Sequence, residues 1–302
     1  MATITETGPS GPAGDNLLSE LKNFAAGGTI NGRFLFSLIL FLLIAGFGFL
    51  GPILTNQPEA LVQVPGGGLY DPPSSAAILG TDNFGRDVFV QLMYGTRSSL
   101  IVGAIAGGIA TVIGLIIGTV AGYVGGSVEE LLMTITNVIV TIPSIVILIL
   151  LSIAIKQRTI EVMGLIIGIT SWPWTARAVR AQASSLRTRE HVDIARLSGA
   201  GTVSLIVSEI IPFMLSYVVM AFVLQLSSGI LTEAALSLLG LGPVGGVSLG
   251  IMLQWALLWE SVRTGAWWAF VPPTLLLTLI AFSLLLIQSS IDEIFNPRLR
   301  KA

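Results

Sequence analysis

The sequence predicts an all-α membrane protein with about six transmembrane helices and both termini in the cytoplasm. Three observations carry this. The 302 residues are 53% hydrophobic and only 11% charged, with a mean hydropathy of +0.86. So few charges cannot cover a water-exposed globule of this size, and a bilayer is the natural solvent. Six apolar runs, at about 34–54, 99–123, 131–155, 160–180, 212–235 and 267–290, are judged against the roughly 20 residues that a helix needs to cross. With the N-terminus inside, Lys22, Arg33, Arg177, Arg180, Arg187, Arg189, Arg196, Arg298, Arg300 and Lys301 face the cytoplasm. Arg86, Arg97, Lys156, Arg158 and Arg263 then lie outside, and ten against five sets the orientation.

Residues 1–33 form a cytoplasmic leader. Its first part, 1–14, is rich in Gly, Pro, Ser and Thr and is expected to be disordered. The stretch DNLLSELKNFAAGG has Asp15 as a cap, Leu17, Leu18, Leu21 and Phe24 on one face, and Gly27 as a stop. It reads either as an interfacial helix or as a frayed leader. The run at 34–55 follows a polar leader without a basic n-region or a nearby small-residue cleavage site, so it reads as a retained span.

Residues 56–97 are too long for a turn and make an extracytoplasmic segment. Within it, Gly80, Thr81, Asp82, Gly85, Arg86 and Asp87 form a G-T-D-x-x-G-R-D motif. A calcium loop would need carboxylates at alternating positions, which are missing. The expectation is a folded loop held by charge-assisted hydrogen bonds, in which Arg86 and Asp87 pair with each other or cap a following helix.

A five-helix core is expected over 98–290, with a cytoplasmic loop at 183–211 and a cytoplasmic tail at 291–302. Its first helix carries Gly103 and Gly107, then Gly114, Gly118 and Gly122, at spacings of four. Such steps allow close helix packing or a pivot. The fourth span is the weakest, because Trp172, Pro173 and Trp174 sit mid-run and Arg177 and Arg180 crowd its end.

The loop that follows is a polar island: Arg177, Arg180, Arg187, Arg189 and Arg196 are a third of the 15 Lys and Arg. Thr188 is the expected N-cap of a short helix, with Glu190 and Asp193 in its opening turns. Val192, Ala195, Ile194 and Leu197 would give an apolar stripe. Gly199 would end the helix in the left-handed region, and Thr202 would start a second helix that re-enters the membrane at Pro212. This reads as a knob for a partner's groove, or as a solvated loop whose arginines only orient the chain. Glu233, near the outer end of the fifth span, is expensive in lipid and should face protein, a water-filled path or the interface. With Ser227 it is a candidate for a translocation path or outer gate.

The inventory argues against catalysis. There are no cysteines, His191 is the only histidine, and Lys22, Lys156 and Lys301 follow Leu, Ile and Arg, never the Gly of a P-loop. Hence no cofactor or metal is expected in this chain. A net charge of -2 without basic patches gives no footprint for nucleic acid. An ion-coupled carrier should carry a chain of acids or histidines through its spans, and none is evident.

DIARLSGAGTVSLIVSEIIP resembles the EAA loop of permease subunits in ATP-binding-cassette importers. Asp193-Ile194-Ala195 match the triplet, Gly199 the glycine, and Ile211-Pro212 the ending. LGTDNFGRDVF (79–89), GTRSSL (95–100), TEAALSLLGLG (232–242), GAWW (265–268) and NPRLR (296–300) are similar to the C-type subunit of the dipeptide, oligopeptide and nickel group. Ala77 stands where many relatives carry His, and PVGGVSLG replaces their Pro-rich segment with Trp.

The resemblance implies a type I importer fold in a prokaryotic cytoplasmic membrane. It implies a homologous second permease, two ATPase subunits holding ATP and Mg, and an external solute-binding protein. Glu190, Asp193, Ile194, Ala195, Arg196, Gly199, Ala200 and Pro212 would then couple to the ATPases. Peptides are the expected cargo, with oligosaccharides or nickel as alternatives, and an ion-coupled secondary transporter is the alternative from another class.

Overall fold

The structure, a computed structural model, describes residues 32–55 and 60–295, with side chains up to residue 291. The leader with its amphipathic stretch and the NPRLR ending lie outside the described residues. Among the described residues the regular structure is helical: α1 (Gly32–Leu54), α2 (Val88–Val124), α3 (Gly126–Thr141), α4 (Ser144–Ala154), α5 (Ile160–Leu186), α6 (Glu190–Leu197), α7 (Thr202–Phe213), α8 (Leu215–Leu238), α9 (Leu249–Leu258) and α10 (Trp267–Phe295).

Four helices among them, α1, α2, α8 and α10, are long and apolar enough to cross a membrane, or five if the bent pair α3–α4 counts as one. Two expectations are corrected here. The second span starts at Val88, not near residue 99. Its first turns carry Gln91, Thr96 and Ser98, which are buried inside protein. The third span is broken, its halves meeting at 79°. Pro143 has no N–H to continue α3, and it holds Ile142 extended at φ -89°, ψ 125°. The fourth, α5, is 27 residues long and runs through Pro173, but Glu161, Arg177 and Arg180 leave it short of the apolarity of the others.

Helix α2 is the strut of the molecule. Its two glycine sets face two different neighbours. A Cβ on Gly107 would lie 2.8 Å from the Leu226 nitrogen of α8, and one on Gly118 2.6 Å from the Ala176 carbonyl oxygen of α5. These are backbone contacts, which no side-chain adjustment relieves. Gly164 and Gly168 of α5 return the contact against Ile105 and Ile109 of α2. The pairing of 105 with 164 and 118 with 176 makes α2 and α5 parallel, whereas Gly103 against Ile230 and Gly107 against Leu226 make α8 antiparallel to them. At about 1.5 Å per residue, the 37 residues of α2 span about 55 Å. The G-T-D motif sits at one end and the polar island at the other.

Candidate functional site

The motif at the Val88 end folds into a cassette around one carboxylate. Asp82 Oδ1 accepts the Phe84 and Arg86 N–H groups at 2.8 and 2.9 Å, and Oδ2 accepts Arg86 Nε at 2.7 Å and Gln91 Nε2 at 2.8 Å. The Arg86 guanidinium lies between the rings of Phe84 and Trp255, 4.3 and 4.0 Å from their centroids. Both side chains of the Asp82–Arg86 pair are buried. Arg86 therefore pairs with Asp82 and not with its neighbour Asp87. Asp87 takes the other expected role, capping α2 by accepting the Phe89 and Val90 N–H groups. Burial pushes the Asp87 carboxyl up from its ordinary value, against the pull of those two N–H groups.

Gly80 and Gly85 sit at φ +71° and +72°, a region that costs a Cβ-bearing residue. Thr81 ties the loop together: its hydroxyl donates to the Gly68 carbonyl and accepts the Asp71 N–H, both at 2.8 Å, and its carbonyl accepts Trp268 Nε1 at 3.0 Å. Sequence spacing did not suggest Gln91, Trp255 or Trp268 as members of this cassette.

The island at the other end is a corner of two helices. Thr188 does not cap α6; its hydroxyl donates to the Ser185 carbonyl, and Arg189 holds the N-cap position without a side-chain bond. The cause is the turn leaving α5, in which the Arg189 N–H binds the Leu186 carbonyl. The other end is closed as expected. Gly199, at φ +86°, donates to the Arg196 carbonyl, and Ala200 donates to the Ala195 carbonyl. This is the Schellman pattern, which satisfies the last carbonyls of the helix.

Helix α7 starts at Thr202 and passes through a π turn at Ile206–Ile210 before Pro212. Pro212 has no N–H for the α-pattern, and the Ile211 N–H reaches back to Ile206 instead. The chain continues past Pro212 into α8, so the long helix begins at Leu215.

The expected apolar stripe splits into two faces. Val192 is fully buried with Leu205, Ile210 and Met214 against Tyr123 and Val179, and Ala195 and Ala200 pack beside them. Ile194, Leu197, Val203 and Val207 point outward, 62%, 89%, 75% and 56% exposed. Glu190 is exposed, and Asp193 pairs with Arg196 at 2.9 Å in solvent.

Glu233 and Ser227 separate. Glu233 is fully buried. Of the three expectations for it, facing protein is the one the geometry meets: it accepts Ser237 and Ser248 hydroxyls at 2.6 Å and Ser99 at 3.3 Å. It joins α2, α8 and the start of α9. Ser227 instead lines a cavity of about 480 Å³ with Ser144, Ser228 and Thr232. A second cavity, of about 490 Å³, lies beside the α3–α4 break and is lined by Ser144, Thr170, Ser171, Trp174, Arg177, Gln225 and Ser228 among others. The shared residues make the two one groove. Apart from Ser227, its members were not singled out as path residues from the sequence. Pro143 within an apolar run was the available signal, because broken helices line transport sites.

Residues 114–301 match the family of binding-protein-dependent transport system inner membrane components. A putative peptide transport system permease protein of Brucella suis is 32% identical over 272 residues, covering 88% of either chain. The dipeptide transport system permease protein DppC of Escherichia coli is 37% identical over 235 residues, 76% of this chain and 75% of its own. DppC of Bacillus subtilis is 30% identical, covering 87% and 81%. Among solved structures, an inward-facing form of the MetNI methionine ABC transporter aligns with a TM-score of 0.50 at 19% identity, covering 65% of this chain and 94% of that one. That likeness concerns the fold.

Proposed function

This chain belongs to the binding-protein-dependent transport system inner membrane components, the permease subunits of ATP-binding-cassette importers, and on that premise we propose that it forms half of the path by which peptides enter a prokaryotic cell. The names of those relatives, peptide and dipeptide transport permeases, support peptides as cargo. The finer reading has α5 as a further crossing, making six, with the corner in the cytoplasm and the cassette outside. A homologous permease faces the groove, an external solute-binding protein docks on the cassette side, and two ATPases holding ATP and Mg bind below.

One observation carries this reading. A corner locked by a Schellman closure presents Ile194, Leu197, Val203 and Val207 outward in a chain whose sequence has no P-loop. Exposed apolar side chains on a rigid element mark a partner surface, and the energy for transport must come from another chain. The corner is packed on Tyr123 at the end of α2 and on Val179 of α5, so a displacement of its partner moves both helices as a body.

The test is reconstitution in proteoliposomes. The expected result is that the ATPases co-purify with this chain and that a labelled dipeptide enters only with ATP and the binding protein. Uptake by this chain alone, without ATP, would overturn the proposal in favour of a secondary carrier.

A further inference from the structure

We propose that Arg177 is the carboxylate-reading residue of the groove, so that the cargo is selected for, and held by, an anionic terminus. This deepens the reading of the groove as the substrate path and rests on it.

Among the described residues, Arg177 is the only charged one lining either cavity. Its guanidinium has no ion pair or hydrogen bond among the described residues, whereas Arg180, one turn on, is bonded to Glu129. The neutral groups beside it are largely committed. The Thr170 and Ser171 hydroxyls donate to carbonyls of their own helix, and Gln225 Nε2 donates to the Ser171 carbonyl and the Thr175 hydroxyl. The strongest uncommitted donor facing the groove is thus a planar fork of N–H groups, the geometry that matches a carboxylate.

Trp174, half exposed one turn before it, gives an apolar plane in the same cavity. A divalent cation would meet a like charge and no carboxylate or imidazole there, and a neutral sugar would leave the charge unpaired. A peptide's C-terminal carboxylate satisfies it.

The chain has no cysteine, so Ser228→Cys places a single thiol in it where the two cavities meet. In the assembled transporter, its labelling by a sulfonate-bearing and by a trimethylammonium-bearing methanethiosulfonate is followed on this chain by mass spectrometry. The expected result is a several-fold preference for the anionic reagent relative to a free thiol, abolished by Arg177→Gln and kept by Arg177→Lys. Equal labelling before any change at Arg177 overturns this inference and leaves the importer reading intact; no labelling by either reagent removes the groove from the aqueous path and overturns the inference together with the reading of the groove as the substrate path. In parallel, uptake of dialanine is compared with that of its C-terminal amide at equal binding-protein occupancy. Arg177→Gln should narrow the preference for the free acid by about tenfold, the effect of one lost charge-assisted bond of about 1.4 kcal/mol, and Arg177→Lys should restore part of it. A ratio unchanged in Arg177→Gln, or an equal fall for both cargoes, overturns the assignment.

Discussion

The two ends of α2 use the same kinds of residue to opposite effect. At the Val88 end, Asp82 and Arg86 are buried, bonded to each other and enclosed by Phe84 and Trp255. At the Val124 end, Asp193 and Arg196 also pair, but in solvent, and the neighbouring Ile194 and Leu197 are left exposed. The contrast extends to the glycines. Gly80 and Gly199 both have positive φ. A Cβ on Gly80 would also lie 2.5 Å from the Asp71 carbonyl oxygen, whereas one on Gly199 would meet nothing within 4 Å. One end spends its polar groups on itself and is a fastening. The other keeps its backbone rigid and its side chains free, as the proposed ATPase-docking surface requires.

That contrast predicts where stability and coupling part company. Asp82→Ala should have the largest effect on folding, about 3–5 kcal/mol, because it strands the buried Arg86. Thermal unfolding of the detergent-solubilised chain measures it, and an unchanged midpoint would mean the cassette is not a fastening. Gly118→Leu should cost about 1–3 kcal/mol by forcing α2 from the Ala176 backbone; the same melt applies, and a tolerated Leu would show that α2 and α5 can separate freely.

Gly199→Val should strain only the local backbone, by about 1–2 kcal/mol. The protein should still insert, while ATP hydrolysis by the assembled transporter no longer tracks uptake; normal coupled uptake would count against the corner as a transmission element. Leu197→Ser should have the smallest effect on stability, within about 0.5 kcal/mol for so exposed a position, yet reduce ATPase retention in a pull-down. A fall in both would blur the distinction between the two ends.

How far this was legible in the sequence differs between neighbouring residues. The Gly199 stop and the Thr202 restart could be read because they depend on backbone chemistry within a few residues. The glycine spacing announced close packing, but not that Gly103 and Gly107 face α8 while Gly114, Gly118 and Gly122 face α5. The partner of Arg86 is Asp82, four residues back, and not the adjacent Asp87, which takes the capping role instead. Adjacent charges cannot be ranked by distance along a chain whose turn, set by Gly85, brings Asp82 nearer than Asp87.

By itself, then, the sequence determined what short-range physics controls: which segments are long and apolar, and where the helices of the corner stop and restart. Tertiary structure alone decided what long-range packing controls. Ser99 and Glu233 meet across 134 residues, and Trp268 and Thr81 across 187. The bend at Pro143 and the lone Arg177 open into one groove only once α5 and α8 are docked on the strut of α2. A local pattern carries information about its own φ and ψ; the partner of a buried charge is chosen by which helices can approach closely enough to exclude everything else.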